Sequence, residues 1–263
     1  AQAFREVFSR AGVNGVVYAT HKPNKSQEVL KRLARMHGMR VDVSSFGELS
    51  SALHAGFTGD RIGATGIKND EYVRLAVLHG ATIIIDSIDE LDRLEACLAH
   101  LSVSTTRILL RITGFSSSHT VIRWKDSRFG IRIEDVPVGL DRLKERKDIQ
   151  FCGFAFHLSE ASREEKKVAI ESALHLTMEA VSHGFTPTVL DIGGGFSVSY
   201  LEHVEEWEAY VSALKRSVME RAENLSWDNS GLGYRNESGV LRGHRSFAQS
   251  YTGLTGPQEL GQL

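Results

Sequence analysis

The residues of this chain that could do chemistry recur at one kind of place, directly after a run of apolar residues. They are Lys22, Asp42 with Ser44 and Ser45, Thr65 with Gly66, Asp86, Arg111, His157, and Gly193, Gly194 and Gly195. Amines, carboxylates and imidazoles move protons and form covalent intermediates, and glycine runs hold anions. Each signal alone is weak, because a histidine on a strand is more often a hydrogen-bonded core residue than a catalyst. Arg111 could likewise simply pair with Asp42 or Asp86.

Two of these signals point to one cofactor. Lys22 follows the apolar run 16–19, and Pro23 disfavours both a helix and a continued strand at that point. A charge at the end of an interior strand needs a partner or a task. The glycines at 193–195 could form a tight turn, but they suit close approach of the backbone to an anion better. A lysine amine that forms a Schiff base and a phosphate loop are what pyridoxal 5'-phosphate requires.

Alternating strands and helices position these residues. Strands are predicted at 16–19, 40–45, 62–66, 82–87, 107–113, 151–158 and 188–195. Helices are predicted at 1–12, 26–37, 46–56, from Asn69, and at 88–99, 135–146, 162–183 and 203–223. Strands that are apolar on both faces and alternate with helices indicate a helix-covered parallel sheet. Seven such units without a dinucleotide fingerprint favour an α/β fold of the (β/α)8 TIM-barrel type, in which every strand end opens on one face.

The last part of the chain breaks this pattern. Turn-forming residues dominate from Ser226 onward, and no clear eighth strand follows. We therefore predict a barrel domain at 1–225 and an irregular tail at 226–263. The polar stretch 114–127 is predicted to be a long loop.

Bulk composition excludes several classes of function. The net charge of -2 suggests neither a nucleic-acid partner nor an anionic membrane surface. No apolar run approaches the ~20 residues that span a bilayer, and the N-terminus does not resemble a signal peptide. Cys97 and Cys152 form neither a disulfide framework nor a metal cluster in this pattern. These features predict a cytoplasmic protein without a metal site.

Six segments match, in order, the motifs of one known family. They are Tyr18-Ala-Thr-His-Lys22-Pro-Asn24, Val41-Asp-Val-Ser-Ser-Phe-Gly-Glu-Leu49, Arg111, Arg128-Phe-Gly130, Gly153-Phe-Ala-Phe-His157 and Leu190-Asp-Ile-Gly-Gly-Gly-Phe196. The set resembles the fold-type III pyridoxal phosphate enzymes, which include diaminopimelate, ornithine and arginine decarboxylases and alanine racemase. It leans to the decarboxylase branch. The first motif has one residue more than the family's Tyr-Ala-x-Lys-Ala-Asn, and Pro23 replaces its second alanine.

The resemblance implies a role for each matching residue. Lys22 would carry the Schiff base and His157 would stack on the pyridine ring. The phosphate would be held by Gly193, Gly194, Gly195 and Ser159, the last of which lies where the family has His-Val-Gly-Ser. Asp42 and Glu48 would orient Lys22 and its surroundings, although Glu48 could equally be an ordinary acid in the first turn of a helix. Arg111 would lie on the side of the ring hydroxyl.

Two family features are missing from the sequence. They are the Glu-Pro-Gly-Arg motif, whose glutamate pairs the ring nitrogen, and the second domain with its Cys-Glu-Ser-x-Asp motif. The resemblance therefore implies the barrel part of such an enzyme, or one subunit of a split enzyme. The implied partners are a small amino-acid substrate and either a second copy of the chain or a partner chain that supplies the C-terminal domain.

The function expected from these observations is pyridoxal-phosphate-dependent decarboxylation of an amino acid. One alternative is a racemase, which would need a second base opposite Lys22. Another is a non-catalytic chain that binds the cofactor and needs a partner. A third is a Schiff-base aldolase without pyridoxal, whose glycine loop would hold a phosphorylated sugar.

Overall fold

A computed structural model describes residues 1–119, 127–158, 161–220, 225–226, 230–247 and 249–263. The strands are β1 (Tyr18–Thr20), β2 (Arg40–Val43), β3 (Ile62–Ala64), β4 (Thr82–Ile85), β5 (Thr106–Thr113), β6 (Ile131–Arg132), β7 (Ile149–Ala155), β8 (Val189–Asp191), β9 (Tyr234–Glu237) and β10 (Val240–Gly243). The α-helices are α1 (Gln2–Arg10), α2 (Gln27–Arg35), α3 (Phe46–His54), α4 (Asp70–His79), α5 (Ile88–Leu98), α6 (Val136–Leu143), α7 (Arg163–Ser182), α8 (Val204–Glu220) and α9 (Gly256–Leu260).

Seven of these strands form one parallel sheet. Its order is β1-β2-β3-β4-β5-β7-β8, and β6 pairs only with the end of β5. The seven strands coincide with the seven that the apolar runs predict, whereas β6 is too short to leave a signal of its own. Within the described residues the path from β8 back to β1 stays open, so the eighth strand is incomplete.

The two faces of the sheet carry different residues because successive side chains of a strand alternate. Val41, Ile83 and Ile108 belong to the large core that the helices cover. The opposite parity gives a small second cluster around Ile84 and Leu109 on the other face. The chemistry-bearing residues near the carboxyl ends of these strands share the parity of that second face. Because of this alternation, the second face has a small apolar cluster in the middle of the strands and polar groups near their carboxyl ends.

Two βα turns use the same capping device. In the turn from β2 to α3, Ser45 caps the helix, and Glu48 accepts a hydrogen bond from the backbone N–H of Ser44 at 2.8 Å. In the turn from β4 to α5, Ser87 caps the helix and Glu90 accepts from the N–H of Asp86 at 2.8 Å. A serine at the N-cap and a glutamate three residues on satisfy N–H groups that a helix leaves without partners. The device fixes the direction in which each chain segment leaves the sheet.

Residues 196–262 form a compact unit separate from 1–195. This boundary is earlier than the predicted one at 225/226. The difference arises because α8 packs with the segment that follows it: the ring of Trp207 lies 5.7 Å from that of Phe247, and Asn236 donates to the carbonyl of Met219.

The prediction that 226–263 is irregular also differs from the structure. β9 and β10 form an antiparallel hairpin, and α9 follows it. Ser238 and Gly239 both have positive φ, 54° and 85°, which is the backbone of a two-residue type I′ turn. The pair Ser238-Gly239 is a typical hairpin signal, but in the sequence it lies among other turn-forming residues and does not stand out.

Two further features bear on function. Among helices of the described residues, none combines the length and the apolar character of a membrane span. Within the same residues, no group of three or more histidine, cysteine, aspartate or glutamate side chains is placed to hold a metal ion.

Candidate functional site

The strand register brings the predicted residues to one edge of the sheet. Thr20 of β1 pairs with Asp42 of β2, and Lys22 follows two residues after Thr20. Further along the strand order, Arg111 of β5 pairs with Ala155 of β7, and His157 follows two residues after Ala155. All of these strands run in the same direction. Their carboxyl ends therefore share one edge, which is where parallel α/β sheets bind ligands.

The glycine loop packs against His157. The N–H of Gly194 donates to Nδ1 of His157 at 3.3 Å, and the N–H of Gly193 donates to the carboxylate of Asp191 at 2.8 Å. Gly193 has a φ of +68°, and a Cβ at this position would lie 2.5 Å from the carbonyl oxygen of Phe156. No side chain fits there without moving the backbone. The loop can therefore come this close to the imidazole only with glycine at 193.

The surroundings of His157 favour the neutral form of its imidazole. Partial burial lowers the pKa of the imidazole below its usual value. The positive charge of Arg111 lowers this pKa further, and so do those of Lys22 and Lys166. Because Nδ1 accepts the Gly194 N–H, the proton of the neutral ring belongs on Nε2. Lys22 itself is exposed to solvent. Its charge is nevertheless one of those that act on His157.

Arg111 is fixed by two contacts in the middle of the sheet. Its guanidinium donates to Asp86 at 3.1 Å and lies 5.1 Å from the centre of the Phe129 ring. Burial raises the pKa of Asp86, and the charge of Arg111 opposes that shift. The second carboxylate oxygen of Asp86 is buried and has no hydrogen-bond partner in the described part of the chain. Of the two pairings that the sequence left open for Arg111, the structure contains the one with Asp86.

Asp42 can exchange a proton near neutral pH. Burial raises its pKa to about 7, with a hydrogen bond involving Thr65 opposing the shift and the charge of Asp191 adding to it. Burial also raises the pKa of Asp191, although the Gly193 N–H opposes that shift. A carboxyl group with a pKa near 7, such as that of Asp42, is suited to holding or releasing a proton.

Glu48 holds Lys25, the lysine three residues after Lys22. Its carboxylate pairs with the Lys25 ammonium and accepts two hydrogen bonds from Ser44. Burial works to raise the pKa of Glu48, but these hydrogen bonds outweigh it and lower the pKa below the usual value. Glu48 thus fixes the loop that follows β1. The predicted phosphate ligand Ser159 lies outside the described residues.

Three residues near the strand ends were absent from our predicted site. Lys68 is fully buried and pairs with Glu90 at 3.0 Å, beneath the turn that carries Asp86. Lys166 is buried on α7 and donates to the carbonyl of Gly195 at 3.4 Å. Asp191 was inside the recognised glycine motif without a role. The sequence could have predicted the burial of Lys166, because it shares helical spacing with the alanines that are buried further along α7.

Comparison with known proteins agrees with this architecture. The family model described as pyridoxal-dependent decarboxylase, pyridoxal binding domain, matches residues 1–232. The diaminopimelate decarboxylase of Bacillus subtilis is 28% identical over 247 residues, which are 87% of this chain and 54% of that protein. The diaminopimelate decarboxylase of Halalkalibacterium halodurans is 32% identical over 216 residues, 77% of this chain and 48% of that protein. The chain thus spans about half the length of the curated relatives it matches.

A solved structure supports the fold. The diaminopimelate decarboxylase of M. jannaschi superposes with a TM-score of 0.70 at 20% identity, over 76% of this chain and 49% of that one. The predicted α/β barrel of the alanine racemase-like type is therefore confirmed, with its eighth strand incomplete. The expected cofactor class is confirmed by the family match. The chain belongs to the pyridoxal-dependent decarboxylases, and residues 1–232 carry their pyridoxal-binding domain.

Proposed function

We propose that this chain forms the barrel part of a pyridoxal-phosphate-dependent amino-acid decarboxylase in which Lys22 bonds to the aldehyde carbon of the cofactor. The observation that carries the proposal is the shared edge of the sheet. There Lys22 follows β1, while His157 and the loop at 193–195 follow β7 and β8 and contact each other. Charges on Lys22 and Arg111 both act on the His157 ring, so these elements form one electrostatic unit.

The residues present fit the cofactor. Gly193 lies where a Cβ would collide with the backbone, so the loop leaves room for close approach of a phosphate. The neutral ring of His157 offers a flat face that adds no positive charge to a pyridine stacked on it. Bound pyridoxal phosphate withdraws electrons from the substrate Cα, so that a bond to this carbon can break.

The remaining residues bind, orient and hold protons. Arg111 is fixed by Asp86 and Phe129, so its position at the sheet edge does not depend on a ligand, and it would lie on the side of the ring hydroxyl of a bound cofactor. Asp42, with a pKa of about 7, can hold a proton close to the end of β1 at neutral pH. Glu48 keeps the loop after β1 in place through Lys25. Ser159 completes the proposed phosphate ligands.

The proposal includes a substrate class and a partner. The named relatives are diaminopimelate decarboxylases, so diaminopimelate is the first amino acid to test, followed by ornithine and arginine. The match to this chain covers about half the length of those relatives. The proposed macromolecular partner is either a second copy of this chain or a chain that supplies the C-terminal part of the relatives. A cytoplasmic location fits Cys97 and Cys152, which are both free thiols.

The test is a spectroscopic and chemical comparison of two lysine variants. The chain is mixed with pyridoxal phosphate, its visible absorbance is recorded, and borohydride reduction followed by peptide mapping identifies the labelled lysine. Lys22→Ala is expected to lose both the band and the label. Lys31→Ala, a change at an exposed lysine of α2, should retain both.

Labelling of Lys25 or of another lysine at wild-type level in Lys22→Ala would refute the assignment of Lys22. Release of carbon dioxide from a supplied amino acid separates decarboxylation from racemisation, which changes only the stereochemistry of the amino acid. Decarboxylase activity that appears only after addition of a C-terminal polypeptide would favour a split enzyme over a chain that only binds the cofactor.

A further inference from the structure

His21, the residue directly before Lys22, is buried although it lies in the turn that follows β1. It is only 4% exposed, whereas Lys22 is exposed to solvent. Nδ1 of His21 lies 2.9 Å from the carbonyl oxygen of Asn24. Because a carbonyl oxygen can only accept, the imidazole carries a proton on Nδ1 and donates it across the turn. The side chain before Lys22 is thus tied to the backbone of the residue two positions after it.

The backbone closes the same turn. The N–H of Asn24 donates to the carbonyl of His21 at 3.1 Å, so Lys22 and Pro23 are the two central residues of a four-residue turn. Proline is disfavoured as the third residue of the common type I turn, because it forces the residue before it away from the helical region. This turn therefore lacks the usual backbone preference, and the imidazole provides a second link between its ends.

Both ends of the turn are anchored in the fold. The N–H of His21 donates to the carbonyl of Asp42 at 3.0 Å and so continues the pairing of β1 with β2. At the other end, the side-chain oxygen of Asn24 accepts from the N–H of Ser26 at 2.9 Å, and Ser26 caps α2. The backbone on either side of Lys22 is therefore fixed to the sheet and to the next helix.

We propose that His21 is a positioning residue for Lys22, an inference that rests on the function proposed above. In forming the Schiff base, the neutral amine of Lys22 adds to the aldehyde carbon, a C=N bond replaces the C=O bond, and the oxygen leaves as water. Holding the amine close to that carbon in a fixed direction favours this bond. The buried imidazole fixes the turn, and the turn in turn limits the positions that the amine can take.

Two ligands that differ at the aldehyde isolate this role. Pyridoxal 5'-phosphate can bond to Lys22, whereas pyridoxamine 5'-phosphate has no aldehyde and binds without that bond. The ratio of their affinities for the 263-residue chain, from absorbance titration and calorimetry, measures the advantage that the bond to Lys22 provides. In His21→Leu we expect this ratio to fall by about three- to tenfold, the size expected for one lost hydrogen bond. His21→Asn should keep most of the ratio, because its amide nitrogen can donate from near the position of Nδ1.

His183→Leu is the matched control. Nδ1 of His183 also donates to a backbone carbonyl, that of Glu179, at 3.0 Å. His183 follows α7 and precedes β8, so it lies at the opposite end of the sheet from Lys22. We expect this variant to keep the wild-type ratio even where its stability in urea falls as far as that of His21→Leu.

A wild-type ratio in His21→Leu, including an equal loss of affinity for both ligands, overturns the role of His21 and leaves the proposed function intact. A ratio that falls equally in His183→Leu or in His21→Asn also overturns it, since the hydrogen bond to Asn24 is then not the cause. If borohydride reduction of the wild-type chain with pyridoxal phosphate leaves Lys22 unlabelled, the proposed function fails and the inference fails with it. His21→Phe, a ring without the donor, provides the same comparison if His21→Leu does not fold.

Discussion

Replacing Gly193 by alanine tests how the glycine loop is built. The φ of +68° at this residue lies in the left-handed region, which costs a residue with a Cβ about 1–2 kcal/mol. The added Cβ would also lie 2.5 Å from the carbonyl oxygen of Phe156 and 2.9 Å from Nδ1 of His157. The first of these atoms belongs to the backbone, so the loop has to move, at an overpacking cost of about 1–3 kcal/mol. We expect Gly193→Ala to lower the free energy of unfolding by about 2–5 kcal/mol, the sum of these two costs.

The movement should also weaken cofactor binding. The loop and His157 are joined through Gly194, so a shift at Gly193 displaces the imidazole and the amides together. Pyridoxal phosphate affinity, measured by absorbance titration, is expected to fall at least about tenfold, which corresponds to about 1.4 kcal/mol. Urea unfolding with circular dichroism measures the stability change on the same samples.

Gly194→Ala is the matched control one residue away. A Cβ at Gly194 would meet nothing nearer than Cε1 of His157, at 3.9 Å, and its φ lies outside the left-handed region. Its stability should stay within about 1 kcal/mol of the wild-type value. If Gly193→Ala matches Gly194→Ala in both stability and affinity, the close approach of the loop to His157 is not what requires glycine.

Three further predictions concern charge and the hairpin. The pKa of Asp42 rises from its usual value of 3.8 to about 7 on folding, so the folded chain binds a proton that the unfolded chain has released, and stability falls as pH rises from about 4 to 7. Asp42→Asn should flatten this slope, which is at most about 1.4 kcal/mol per pH unit; an unchanged slope in urea unfolding would contradict the assignment. Lys68→Met should destabilise the chain by about 3–5 kcal/mol because it leaves Glu90 buried without its cation, and adding Glu90→Gln should recover part of that loss. Ser238→Asn should raise the thermal midpoint slightly, because asparagine tolerates the positive φ of 54° at that turn position better than serine does; a lower midpoint would refute this.

The parts of the fold that the sequence predicted depend on local signals. The ends of the apolar runs lie close to the carboxyl ends of the strands. Ser26 and Asn69 cap α2 and α4, as the sequence predicted. Strand ends could therefore be listed from the sequence, and the barrel topology then implied that Lys22 and His157 share an edge. The register of β1 with β2 and of β7 with β8 agrees with that inference.

The parts that the sequence did not predict depend on contacts between distant residues. Lys68 appears in the sequence as an ordinary polar residue before a helix, and only the fold shows that Glu90, 22 residues away, encloses it. The resemblance implied that Glu48 orients Lys22 and its surroundings, with an ordinary first-turn acid as the alternative, and nothing in the sequence indicated that its carboxylate pairs with Lys25. The early domain boundary likewise follows from the packing of α8 on later residues, which no local pattern records.

Burial of acids sets the charge of the proposed site. Asp42, Asp86 and Asp191 all lie near strand ends, and burial raises the pKa of each, so each carboxyl group keeps its proton to a higher pH than an exposed aspartate does. The cations Lys22, Arg111 and Lys166 act on the same edge, where their charges help to lower the pKa of His157. A positive edge attracts a phosphate dianion and an amino-acid carboxylate, whereas three ionised aspartates would repel both. The buried aspartates therefore make the edge suitable for the anionic cofactor that the family binds.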